Sequence, residues 1–172
     1  MSDKEQNYAP PLENVSLDPG DVQNQTVRKA FDLWNGMKGS RRFPARAEFT
    51  PRNMAEFLRN TVLVRVLDEG KEFQFRIVGD AITMVQGASL QGLTTAEIEA
   101  QIPVYGAMLK MVYRQICKEG EPVAFRGWFV QPKTLTPFFH ESLLLPLGPD
   151  GATVDHILIV GVYAFEAAGL NS

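Results

Sequence analysis

Residues Thr61–Asp80 read TVLVRVLDEGKEFQFRIVGD, and this stretch decides the fold. Val62, Val64 and Val66 alternate with Leu63, Arg65 and Leu67. Phe73, Phe75 and Ile77 alternate with Glu72, Gln74 and Arg76. A period of two marks strands with two unlike faces. Between the runs lie Asp68, Glu69, Gly70 and Lys71. Asp and Glu suit the early positions of a type I turn, and Gly70 can take the positive φ of the bulge that follows. The stretch therefore predicts a β-hairpin opening an antiparallel sheet.

Downstream, 80–86 reads as a short helix with Ala81, Ile82 and Val85 inward. Gly87 and Gly92 bracket a turn, and Thr94 or Thr95 caps a further short segment. The best long helix spans 101–118. Val104, Met108, Met111, Val112, Gln115 and Ile116 approximate its buried stripe, and Gly120 ends it. Three strands follow, over 122–130, 138–147 and 154–165. The last is apolar on both sides from Ile157 onward, so it belongs in the middle of a sheet covered on both faces, beside Thr61–Leu67.

Upstream, Val27, Ala30, Phe31 and Trp34 fall at i, i+3, i+4 and i+7, one stripe of an amphipathic helix. Asn24 can cap its start, and Gly36 or Gly39 can end it. This stripe is the expected cover for the second sheet face, supplied by the same chain or by a second copy. Thr50 and Pro51 resemble the start of another short helix carrying Met54, Phe57 and Leu58. The resulting expectation is an α+β fold: a five-stranded antiparallel sheet, short helices and one long helix on one face, and an N-terminal amphipathic helix. Its parts are a tail at 1–22, a helical extension at 23–60, a core at 61–166 and a C-terminal tail at 167–172.

Composition narrows the class. Hydrophobic residues make up 45% of the 172, enough for a core of ordinary size. No run of about 18 apolar residues suggests a membrane span, and the polar N-terminus lacks the apolar stretch of a secretory signal. Cys117 is the single cysteine, which excludes an internal disulfide and makes a reducing cytoplasm the simplest compartment. Net charge is −3, unevenly placed. Arg28 to Arg65 holds nine Lys/Arg and three Asp/Glu, against eight and seventeen elsewhere. Arg41, Arg42 and Arg46 are its densest part. A basic patch of this kind is either a solvated surface or a contact for an anionic partner. Nucleic acid is not expected, because no nucleic-acid motif accompanies the arginines.

The order of two strands, short helices, a long helix and three strands resembles the PAS fold. The segments Trp34, Arg41–Arg46 (RRFPAR), Phe73–Gly79 (FQFRIVG), Gly87–Gly92 (GASLQG) and Leu143–Leu147 (LLLPL) resemble one bacterial PAS family of small, often single-domain proteins typical of alphaproteobacteria. It was once catalogued as a domain of unknown function. The resemblance covers about 24–165 and implies a sensory or interaction module with no particular shared ligand.

In such a fold a cavity can lie between the long helix and the aromatic strands. Phe75, Ile77, Tyr105, Leu109, Tyr113, Phe125, Phe129 and His140 are candidates to line it, or simply to pack a core. Val27, Phe31 and Trp34 are the candidate dimer interface.

Other chemistry finds little support. His140 and His156 lack partners at metal-ligand spacing. The long helix carries no histidine, which argues against the haem of haem-binding PAS domains, and the cysteine motif of flavin-photoadduct PAS domains is missing. His140 and Ser142 share a strand face, but nothing in the sequence orients the imidazole, so a hydrolytic triad is not expected. The reading is a non-enzymatic PAS sensory module that binds a small ligand, a protein partner or both, and forms a homodimer. The alternative is a ligand-free interaction module. A small isomerase-like enzyme would need a carboxylate or a histidine in an apolar pocket.

Overall fold

The computed structural model describes residues 14–166 together with 169 and 170. Six strands, β1 (Val15–Leu17), β2 (Thr61–Leu67), β3 (Glu72–Val78), β4 (Val123–Val130), β5 (Pro137–Leu147) and β6 (His156–Ala164), form one antiparallel sheet. Their order is β1-β4-β5-β6-β2-β3. The four α-helices are α1 (Gln25–Lys38), α2 (Asp80–Gln86), α3 (Thr95–Gln101) and α4 (Pro103–Glu119). The sheet thus has six strands rather than the expected five. The additional one comes from the stretch read as a tail. Val15–Leu17 pairs with Arg126–Ala124 and covers the edge of β4. Of that expected tail, residues 1–13 lie outside the described residues. At the other end Leu170 is buried, and its carbonyl accepts a hydrogen bond from Asn24.

The hairpin forms with β2 and β3 in register from Leu67 opposite Glu72 to Val62 opposite Val78. Its turn differs from expectation. Glu69 sits at φ 55°, ψ 36° and Gly70 at φ 89°. The Lys71 N–H donates to the Asp68 carbonyl at 3.2 Å. This is a type I′ turn, whose twist suits two right-twisted strands better than type I. A second irregularity has larger consequences. Leu63 faces Ile77, but Val64 faces Phe75, so Arg76 is an extra residue in β3. Such a bulge reverses the in–out alternation beyond it. Phe75 points inward and is 3% exposed, whereas Ile77 joins the opposite face and is 38% exposed.

β6 lies between β5 and β2, so the last strand is central and the N- and C-terminal halves of the sheet meet there. The most completely buried strand is its neighbour: every residue of β5 from His140 to Leu147 is buried. α1 packs across β5 and β6 on one face. Asn24 Oδ1 caps α1 by accepting from the N–H groups of Thr26 and Val27. Val27, Ala30 and Trp34 are buried beneath it. Phe43, Phe49, Met54 and Phe57, buried in the connection that follows, extend the cover. That connection is a series of turns ending in a 3-10 turn at Leu58–Asn60, not the expected helix. Thr50 and Asn53 do exchange the reciprocal bonds of a helix start, each side chain accepting from the other's backbone N–H, but the turns that follow do not continue into a regular helix.

α4 lies on the other face with a different phase from that read in the sequence. Gly106, Tyr113 and Ile116 are buried, with Tyr105, Leu109 and Val112 packed beside them. Val104 and Met111, expected inward, are 85% and 64% exposed. Gly106 sets this phase, because a Cβ there would lie 2.4 Å from the Glu99 backbone. α3 and α4 therefore meet at a position only glycine can occupy.

Trp34 ties α1 to the sheet, its Nε1 donating to the Pro146 carbonyl at 2.9 Å. Trp34→Phe keeps an aromatic ring but leaves that buried carbonyl unpaired. Equilibrium urea unfolding should show a loss of about 2 kcal/mol. An unchanged midpoint would mean that the bond contributes nothing net.

Candidate functional site

The face of the sheet under α4 carries most of the aromatic residues expected to line a ligand cavity. Cross-strand register places Phe129 opposite Phe138, His140 opposite Tyr163, and Val64 opposite Phe75, so these side chains share that face. α4 adds Tyr105 and Tyr113 from above. The rings contact one another in two groups. Tyr113 lies 5.3 Å from Phe73 and 6.4 Å from Phe75. Phe129 lies 6.0 Å from Tyr105 and 5.8 Å from Tyr163, and Tyr163 stacks on His140 at 5.4 Å. These are ordinary separations for packed aromatic pairs. Leu109 and Phe125 are half-buried at the margin of the same core. Ile77 is the one candidate on the wrong face, for the bulge at Arg76 turns it outward.

Several polar atoms in this layer bond to neighbours. His140 Nδ1 is 2.9 Å from Ser142 Oγ, and His140 Nε2 is 3.0 Å from Asn14 Oδ1. Because the amide oxygen can only accept, Nε2 carries the proton and Nδ1 accepts from the hydroxyl. Asn14 thus orients an imidazole for which the sequence offered no partner. Burial pushes its pKa down to about 4, against a smaller upward pull from Glu141. Burial also raises the tyrosine hydroxyls, with Gln86 Nε2 donating to Tyr105 at 3.0 Å. Ser142 is buried beside the histidine, so the pair has the packing of a core contact.

A buried carboxylate does exist, but on the opposite face. Glu141 is 0% exposed, accepts from the N–H groups of Gln23 at 2.9 Å and Asn24 at 2.8 Å, and is ion-paired with Arg126. Its oxygens are engaged, unlike those of a base in an apolar pocket. Cys117 lies late in α4, its thiol pushed up to about 11 by burial. Relative to a thiol at 9 this leaves about a hundredfold less thiolate near neutral pH. Iodoacetamide should therefore alkylate Cys117 about a hundredfold more slowly than free cysteine at pH 8. A rate equal to that of free cysteine would contradict the burial.

The three arginines of the expected basic patch separate into different roles. Arg41 makes a two-pronged contact with Glu48 at 2.9 and 2.8 Å. Arg42 reaches over the Phe43 ring and donates to the Glu119 carbonyl. Arg46 alone borders a hollow of about 600 Å³ on the α1 side of the sheet, lined also by Leu63, Arg65, Arg76, Ile77, Asp155 and His156. Register explains the grouping. Arg65 is opposite both His156 and Gln74, and Leu63 is opposite both Leu158 and Ile77. A polar row and an apolar row thus lie side by side beyond the reach of α1. The sequence count of basic residues included Arg46 and Arg65 but missed Arg76 and His156, which only the bulge and the β2–β6 pairing bring to the same place. The expected interface fares differently. Val27 and Trp34 are buried within this chain, so they cover their own sheet and are not free to meet a second copy. Phe31 is half-buried and stacks on Trp34 at 6.2 Å.

Among the described residues no helix is long and apolar enough to cross a membrane. No curated protein matches the chain. A family model described as "PAS domain" matches residues 22–164, from the buried Val22 just before α1 to the last residue of β6. With the six-stranded antiparallel sheet, the long helix across one face and that match over most of its length, the chain belongs to the PAS domain family.

Proposed function

We propose that this protein is a non-catalytic PAS module that works by binding protein partners, with its core filled by its own side chains. The observation that supports this most is the contact of Tyr105, Phe129, Tyr163 and His140 across the space where a small ligand would otherwise sit. The polar groups of Tyr105, His140 and Ser142 bond to each other or to Asn14 and Gln86, which takes those donors and acceptors away from a guest. A sensory role then operates through surfaces that a partner can reach. Native mass spectrometry of protein purified from several expression conditions tests the reading. The expected result is the mass of the chain alone. A co-purified small molecule lost on denaturation would overturn it in favour of a metabolite sensor.

Homodimerisation belongs to the same reading, on a surface other than α1. Val104, Met108 and Met111 recur at i, i+4 and i+7 along the outward side of α4 and form an exposed apolar stripe. Sedimentation at high micromolar concentration should give the mass of two chains, and Met108→Asp with Met111→Asp should give one. A single-chain mass for the unaltered protein would remove the dimer from the proposal.

A further inference from the structure

The hollow beside α1 has a composition that the filled-core reading does not use. It is lined by Arg46, Arg65, Arg76, His156 and Asp155, with the apolar Leu63 and Ile77 among them. Three arginines elsewhere in the chain are matched to carboxylates, Arg41 to Glu48, Arg59 to Asp80 and Arg126 to Glu141, while Arg28, Arg42 and Arg114 donate to backbone carbonyls. Among the described residues, none of the three groove arginines has an ion-pair partner. Arg46 donates to the Phe49 carbonyl and Arg76 makes a 3.4 Å contact with Gln74 Oε1. The carboxylate in the groove, Asp155, lies 2.9 Å from His156 Nδ1. The result is a local excess of positive charge on a chain whose net charge is −3.

We infer that this groove docks an acidic segment of a partner protein, with carboxylates on Arg46, Arg65 and Arg76 and one apolar side chain against Leu63 and Ile77. The inference deepens the interaction-module reading and rests on it. Charge complementarity selects the partner. Unpaired guanidiniums in a row favour carboxylates, which they can hold with two hydrogen bonds each. The apolar part of the lining distinguishes the occupant from a bare anion, because Ile77 would stay wet beneath one. A free small molecule fits less well, since sites for such ligands bury most of the ligand surface and this hollow lies on an open sheet face. Nucleic acid fits less well again, because no Phe, Tyr or Trp lines the groove to give successive bases a stacking platform.

The test uses the full chain, ¹⁵N-labelled, titrated with an acidic peptide that carries a single central leucine. The expected result is saturable shifts centred on Leu63, Arg65, Arg76, Ile77 and His156. Added salt should weaken them. Arg65→Glu with Arg76→Glu should lower affinity about tenfold or more. A peptide with glycine for leucine should bind more weakly, and one with amides for carboxylates should not bind. Should the double charge reversal disturb the fold, Arg65→Gln with Arg76→Gln reports the same loss with less repulsion. Shifts centred elsewhere, equal affinity in the variants, or inorganic phosphate, citrate or oligothymidylate displacing the peptide at lower concentrations would each overturn the proposal. A partner held by another face would remove the groove and leave the interaction module. A ligand co-purified in the core would remove the filled-core reading and leave the groove result standing on its own titration.

Discussion

Replacing Glu141 with leucine should lower the free energy of unfolding by about 3–5 kcal/mol, the range seen when one partner of a buried ion pair is removed. The side chain is wholly buried and does three things at once. It neutralises Arg126, and it accepts the N–H groups of Gln23 and Asn24. These two amides immediately precede α1. Asn24 in turn caps α1 and donates to the Leu170 carbonyl. Glu141 therefore fixes where the covering helix begins on the sheet. Without it, Arg126 is left with a half-buried charge and the two amides lose their acceptor. For a chain of this size the loss corresponds to about 6–20 °C in midpoint temperature. Arg126→Met added to Glu141→Leu should recover part of it, because the stranded charge is then gone, while the two amides remain unmatched. A thermal or urea midpoint within about 0.5 kcal/mol of wild type, the usual scatter for surface changes, would show that α1 is held by its apolar face alone.

How much of this was legible beforehand depends on which forces act locally. The central place of β6 beside β2 was readable, because a strand greasy on both sides needs neighbours and cover on both. The α1 stripe was readable for the same reason. What the sequence concealed were single-residue events. Arg76 looks like any polar position of an alternating strand, yet as a bulge it sends Ile77 to the far face and assembles the basic groove. α4 offers two apolar stripes, and its alternation favours neither. The close approach at Gly106 goes with a face that buries Tyr113 beside the expected Ile116 and leaves Val104 and Met111 outside. β1 is too short to announce itself, and it forms because the edge of β4 is available. The patch of Arg41, Arg42 and Arg46 was legible as charge but not as function, since Arg41 is taken up by Glu48, Arg42 reaches the distant Glu119 carbonyl, and only Arg46 borders the groove. Glu141 was invisible as a buried group. It sits one residue from His140 in the middle of an apolar strand, and only the return of the Gln23–Asn24 backbone explains it.

His140 should make the protein acid-sensitive in a defined window. Its ordinary pKa is about 6.5, and burial in the folded chain lowers it to about 4. Above pH 6.5 both states hold the ring neutral, so it contributes nothing to the pH dependence. Between pH 6.5 and 4 the unfolded chain binds a proton that the folded chain refuses, and stability falls with pH. Below pH 4 both states are protonated and the loss saturates. A shift of this size corresponds to about 3 kcal/mol. The physical origin is the bonding of the neutral ring. Nε2–H donates to Asn14, Nδ1 accepts from Ser142, and Tyr163 stacks on the ring face. A second proton at Nδ1 would face a hydroxyl that must then turn round, in a layer with little water. The neighbouring Glu141 carboxylate favours the charged ring, but it belongs to the opposite face and its effect is smaller. Urea unfolding of wild type and His140→Asn, compared from pH 4 to 8, isolates this residue from the other carboxylates that titrate in the range. The difference between the two proteins should be flat above pH 6.5 and should move by about 3 kcal/mol against wild type on going to pH 4. Parallel curves would mean that the buried imidazole takes up its proton in the folded chain as easily as in the unfolded one, and that the Asn14–His140–Ser142 chain does not hold the ring neutral.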